Sequence, residues 1–174
     1  MKSGSSLILH PLEELMPRLS QIMIRTALVW LALGYTTGAL VLLNKGVPVL
    51  PWLWALRTPH VHMLLVGWTV QLACGVAFWI LPRLDASGSR GDERLVWGCY
   101  AALNAGVALG ALHDPLATMP SVGQHARSMV LAMGGLYVIA ALLFVVHAWP
   151  RIVPFRALPR PDRDTPDADR SPAE

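Results

Sequence analysis

The amino-acid sequence predicts an all-α membrane protein, a polytopic four-helix bundle, from its composition and from four long apolar stretches. Hydrophobic residues make up 54% of the 174 residues and charged residues 14%, whereas about a quarter of a soluble domain is charged. The mean hydropathy is +0.47. This composition excludes an ordinary soluble enzyme and a disordered chain, and it indicates a chain surrounded by lipid.

Four stretches reach the roughly 20 apolar residues that a membrane-spanning helix needs: about 22–43, 59–81, 95–112 and 125–149. Thr58 before Pro59 is typical of a helix start, and Asp92 predicts the cap of the third helix. Ser121 and Gln124 have the spacing of a capping box before the fourth helix. Prolines predict the ends of the second, third and fourth helices: Pro82, Pro115 and Pro150.

The chain is expected to have three regions. Residues 1–21 form a weakly amphipathic N-terminal segment, residues 22–150 the four-transmembrane-helix domain, and residues 151–174 a cytoplasmic tail that is largely disordered. Of the 14 lysines and arginines, those at positions 45, 57 and 127 fall on one side of the predicted membrane and the others on the opposite side. The positive-inside rule therefore predicts that both termini are cytoplasmic, in a multi-pass protein of the bacterial inner membrane.

The remaining composition indicates what the chain does not bind. Its formal net charge of +3 comes mainly from arginines at helix ends, and the sequence carries no nucleic-acid-binding motif, so no nucleic-acid partner is expected. Cys74 and Cys99 lie inside apolar runs and form no CxxC pair. They predict no disulfide framework, and both thiols are expected to be inert.

Four of the six histidines fall at the same predicted end of the bundle. His60 and His62 open the second helix, His113 closes the third and His125 opens the fourth. Ionisable groups are costly in lipid, so histidines at this depth are candidates for a functional site. A single histidine at a helix end is more often an interfacial or capping residue, and it is their convergence that points to a metal or haem site.

Helix geometry separates the first two histidines. At 3.6 residues per turn, His60 and His62 point about 200° apart. His60 shares a stripe with Gly67 and Gln71, which indicates the bundle interior. His60 is therefore the favoured ligand, with His62 close behind.

The four histidines and two neighbouring arginines together predict a haem b site. His60 and His125, on separate helices at one depth, are the expected axial ligands of the iron. Arg57 and Arg127 lie within three residues of these histidines, and a guanidinium suits the carboxylate of a haem propionate. Copper is the alternative cofactor, since Met119 and Met129 lie near the histidines.

One stretch also resembles a known family. Arg57-Thr-Pro-His60-Val-His62-Met-Leu-Leu-Val-Gly67-Trp68, continuing to Gly75-Val-Ala-Phe-Trp79-Ile-Leu-Pro82-Arg83, resembles helix 2 of the catalytic subunit of haem–copper oxygen reductases, closest to the nitric oxide reductases and C-family oxidases. The resemblance covers about 27 residues of 174.

The resemblance implies that His60 is an axial ligand of a low-spin haem. The family's second ligand lies on a later helix, where His125 is the counterpart by position only. His62 stands where the close branches often have asparagine. The family's copper and high-spin haem ligands have no counterpart, so the resemblance implies a low-spin haem unit rather than a complete oxidase.

Three functions follow as expectations. The first is an electron-transferring cytochrome b without catalytic residues, served by a quinol, a cytochrome c or a larger respiratory complex, with a homodimer expected in the lipid bilayer. The second is an accessory or sensor subunit of a respiratory or denitrification system that binds haem, copper or nitric oxide, with His62 or His113 as a ligand. The third is a structural subunit without a cofactor.

Overall fold

The computed structural model describes residues 16–48, 50–84, 89–118 and 126–152. Over these residues the chain is all-helical and contains no strand. The N-terminal segment as far as residue 15, the predicted capping box at 121–124, His125 and the tail from residue 153 lie outside the described residues.

The helices follow one another in an up-and-down order. The first helix is α1 (Arg18–Gly46). The next continuous stretch consists of a 3₁₀ turn (Pro51–Leu56), α2 (Arg57–His62), a π-helical segment (Met63–Val70) and α3 (Gln71–Ile80). The last elements are α4 (Glu93–Ala117), α5 (Ala126–Ala148) and a closing 3₁₀ turn (Trp149–Arg151). The continuous stretch Pro51–Ile80 forms the second span. In the described part of the chain, four helical stretches are long and apolar enough to cross a membrane, which confirms the predicted helical class.

The helix boundaries differ from the sequence prediction where local chemistry intervenes. Asp92 caps α4 as predicted, because its carboxylate accepts a hydrogen bond from the Arg94 backbone N–H at 2.9 Å. The predicted helix start at Thr58 is wrong, because the 3₁₀ turn and the first residue of α2, Arg57, already precede it. The prediction that Pro115 ends the third helix is wrong, because α4 continues to Ala117. The proline removes only its own bond to the Ala111 carbonyl, and the helix ends two residues later.

The packing order runs from α1 through the second span to α4 and then α5. Glycines let α1 approach the second span closely, as small residues do in membrane helix pairs. An added Cβ on Gly67 would lie 2.7 Å from the Trp30 ring, and one on Gly75 would lie 3.0 Å from Met23. The two ends of this bundle are named the histidine end, with His60, and the arginine end, with Arg151.

A chain of hydrogen bonds ties three helices together in the middle of the bundle. The Trp30 indole N–H donates to Asn104 Oδ1 at 2.7 Å, and Asn104 Nδ2 donates to Gln71 Oε1 at 2.9 Å. Gln71 is fully buried, and its Nε2 donates to the Met23 carbonyl at 3.1 Å. The network therefore fixes how α1, α3 and α4 sit against one another.

Replacing Asn104 by leucine should lower the midpoint temperature of thermal unfolding in detergent. The indole N–H of Trp30 and the amide oxygen of Gln71 would lose their partners, at a cost of about 1–2 kcal/mol. The control is Thr36→Val, which removes only a bond within α1, to the Ala32 carbonyl. Equal midpoints for the two variants would contradict the structural role of the network.

At the arginine end, one buried guanidinium joins two helices. Arg151 is 1% exposed. Its Nε donates to the Pro82 carbonyl at 2.9 Å, and its Nη2 donates to the carbonyls of Phe78 and Leu81 at 3.2 and 2.7 Å. Its Nη1 donates to His147 Nε2 at 3.0 Å. The side chain therefore satisfies carbonyls that the end of α3 leaves without intrahelical partners.

Candidate functional site

His60, the first predicted ligand, is held against α1. Its Nδ1 lies 2.8 Å from the Gly34 carbonyl oxygen. A carbonyl only accepts, so Nδ1 carries the proton and Nε2 presents its lone pair. This is the tautomer in which a histidine binds a metal through Nε2 while its other ring nitrogen is oriented by a hydrogen bond.

Gly38 makes room for this ring. A Cβ added there would lie 2.5 Å from His60 Cε1 and 2.7 Å from Nδ1, closer than two such atoms can approach. Any larger residue at position 38 would push the imidazole away from Gly34. The Gly34-xxx-Gly38 pair of α1 therefore holds the His60 ring in place.

A cavity of about 470 Å³ opens beside His60 along α1. Its walls are formed by Tyr35, Gly38, Ala39, Val41, Leu42, Lys45 and His60. The volume falls within the range of small-molecule and cofactor sites. The walls are largely apolar, and Lys45 brings a positive charge near the end of α1, so the cavity suits a flat apolar group that carries an anionic substituent.

His62 faces the opposite neighbours. Its ring packs against Gly110 of α4, and its Nδ1 lies 3.2 Å from the Tyr137 hydroxyl of α5. The prediction that the rings of His60 and His62 diverge is therefore confirmed. His60 faces α1, and His62 faces α4 and α5.

His113, at the histidine end of α4, is paired with its neighbour. Its Nδ1 lies 2.6 Å from a carboxylate oxygen of Asp114, and both side chains are partly exposed. The carboxylate accepts from Nδ1–H, which leaves Nε2 for a metal in the carboxylate–histidine arrangement common around bound metals. Asp114 therefore orients the His113 ring.

The structure does not bring the other predicted site residues into the site. His125 lies outside the described residues, and so does Met119. Arg57 and Arg127 are exposed at the histidine end. Within the described ranges, no three His, Cys, Asp or Glu side chains come close enough to hold a metal ion.

The π-helical segment directly follows His62 and was not predicted from the sequence. Such segments are rare and frequently mark functional sites. It lies between the turn that carries the two histidines and the regular helix α3. No residue pattern in this apolar run distinguishes π from α geometry.

Comparison with known proteins gives no match. No known protein family, no curated protein and no solved structure matches the chain. The resemblance of residues 57–83 to a helix of haem–copper oxygen reductases therefore stays a prediction.

Proposed function

We propose that the chain is a membrane cytochrome that binds b-type haem through His60 and transfers electrons. The observation that carries the proposal is the His60 imidazole. Its Nδ1–H is fixed on the Gly34 carbonyl, and its ring borders a cavity with apolar walls. Axial histidine ligation of haem iron uses this arrangement.

The residues around the cavity fit a haem by size and charge. Ala39 presents little side-chain volume, so a planar macrocycle beside the His60 ring can lie close to the backbone of α1. Lys45 borders the cavity, and the exposed Arg57 begins α2 at the same end. These cations suit the two propionates of a haem. When bound, the haem supplies a reversible one-electron couple.

The proposal has two forms, which differ in whether a second histidine binds the iron. His125 is the ligand predicted from the sequence, and with it the iron would have no open position. His60 is the single imidazole that lines the cavity among the described residues, and it faces α1 rather than α5. That placement supports a second candidate function, a sensor or accessory haem protein with one open coordination position.

The optical spectrum of the protein purified in detergent tests the proposal. Sharp α and Soret bands after reduction would support bound haem, and a colourless protein would overturn the proposal. The spin state then separates the two forms. If His125→Ala converts a low-spin spectrum to a high-spin one, the cytochrome with two histidine ligands is supported. A wild-type spectrum that is already high-spin and shifts on adding nitric oxide supports the sensor.

Gly38→Val should reduce haem content by tenfold or more, because the added side chain occupies the place of the His60 ring. The control is Gly134→Val in α5, where an added Cβ meets nothing within 4 Å. Haem per chain is measured on the monodisperse fraction of each variant. Retention of full haem content in Gly38→Val would contradict the proposed position of the ligand.

We further propose that the arginine end faces the bacterial cytoplasm and the histidine end faces outward. The asymmetry of lysine and arginine along the chain supports this orientation. A haem at the histidine end would then lie near the outer surface, within reach of a periplasmic electron carrier such as a cytochrome c.

A further inference from the structure

Two cysteines line one cavity in the half of the bundle toward the arginine end. Cys74 belongs to α3 and Cys99 to α4. Cys74 lies six residues before Ile80, the last residue of α3, and Cys99 six residues after Glu93, the first residue of α4. The two antiparallel helices therefore place both sulfurs at one depth.

Both cysteines line a second cavity, of about 330 Å³, between the second span, α4 and α5. Across this cavity lie α5 side chains that include Tyr137, Ala140 and Phe144. Its walls are almost wholly apolar. Cys99 is 1% exposed, whereas Cys74 is only partly buried. The cavity gives the sulfurs space to move and admits small uncharged molecules dissolved in lipid.

The surroundings decide which reaction suits these thiols. A thiolate or a charged metal complex would be costly in an apolar cavity. Oxidation that removes both protons together with two electrons leaves no charge behind. The oxidant must be uncharged and soluble in lipid, and it must accept two electrons and two protons; a membrane quinone meets these requirements.

We propose that Cys74 and Cys99 form a redox-active dithiol that closes to a disulfide, with a membrane-dissolved quinone as the oxidant. Two S–H bonds break and one S–S bond forms; the quinone accepts both electrons and both protons and leaves as the quinol. The disulfide joins α3 to α4. This dithiol is independent of haem binding, since neither sulfur borders the His60 cavity.

The test counts free thiols after treatment of the reduced, detergent-purified protein with a short-chain quinone. The reaction is quenched in acid, the protein is denatured, and the remaining thiols are labelled with a maleimide polymer that shifts the band on a gel. The wild type should lose both thiols together, and mass spectrometry should find the Cys74–Cys99 cross-linked peptide, two hydrogens lighter than the reduced pair. A thiol reductant added after denaturation should restore both labels.

The controls move or remove one sulfur. Cys74→Ser and Cys99→Ser should each keep the remaining thiol labelled. The double change Cys74→Ser with Val70→Cys moves one thiol a turn along the same cavity wall, and no disulfide should form. N-ethylmaleimide added to the native wild type measures access and should label Cys74.

Three results would overturn the proposal. The first is retention of both thiols in the quinone-treated wild type, whether or not N-ethylmaleimide reaches Cys74. The second is loss of the thiols as separate quinone adducts. The third is a disulfide only between two chains.

Discussion

His60→Ala is expected to abolish haem binding, with haem content falling at least tenfold. In the wild type the imidazole is held between the Gly34 carbonyl and Gly38, at the edge of the cavity. Alanine removes the only nitrogen ligand that lines this cavity in the described part of the chain. Without an axial protein ligand, the haem would be held only by apolar contacts and by the cations near its propionates.

The comparison with other histidine variants gives this prediction its specificity. His62→Ala removes a ring that faces Tyr137 and α4, so the variant should keep its haem. His10→Ala should keep it as well. Imidazole added to purified His60→Ala should restore the pigment by entering the space that the ring vacates, a rescue that a purely structural role does not produce. Equal loss of haem in all three variants would contradict the ligand assignment.

Arg151→Met is expected to destabilise the folded protein strongly, and by more than Asn104→Leu does. The guanidinium is 1% exposed and donates to three carbonyls and to His147. Methionine keeps much of the apolar volume but leaves the carbonyls of Phe78, Leu81 and Pro82 without these donors. Each buried group that loses its partner costs about 1–3 kcal/mol, so a total of about 3 kcal/mol or more is expected.

The measurement is the midpoint of thermal or denaturant unfolding in one detergent, with Arg83→Met as the matched control. Arg83 is exposed near the same helix end, and its loss should change stability by less than about 0.5 kcal/mol. Arg151→Lys should fall between the two, because one ammonium cannot reach all four acceptors. An Arg151→Met midpoint within error of the control would contradict the proposed role of the buried guanidinium.

The sequence predicted the fold well because lipid imposes a simple rule. A helix that crosses the bilayer must be long and apolar, and four such stretches are visible in the residue pattern. A helix cap made by a side chain could also be predicted from the sequence, as Asp92 shows. Proline was a less exact guide to the helix end: Pro115 removes its own bond to the Ala111 carbonyl, yet α4 continues for two more residues.

The direction of the candidate ligand was harder to predict. The small residues that share a stripe with His60 do indicate close helix packing, but they do not identify the neighbour. Gly67 and Gly75 pack against α1, and His60 turns with them toward α1 rather than α5. The Gly34-xxx-Gly38 pair in α1 was the available signal for this pairing.

Two features depend on tertiary structure and left no readable signal. Arg151 looked like one more positive charge at a helix end, and only its burial against the end of α3 reveals its role. The Cys74 and Cys99 thiols are 25 residues apart in sequence, and only the antiparallel course of α3 and α4 brings both to one cavity.

The central claim is tested most directly by a crystal structure of the protein purified with its pigment. The account predicts planar density for a porphyrin alongside Gly38, with the iron bound by His60 Nε2 and the propionates toward Lys45. A structure with His60 Nε2 against lipid and no macrocycle beside it, or a haem bound elsewhere in the bundle, would contradict the account.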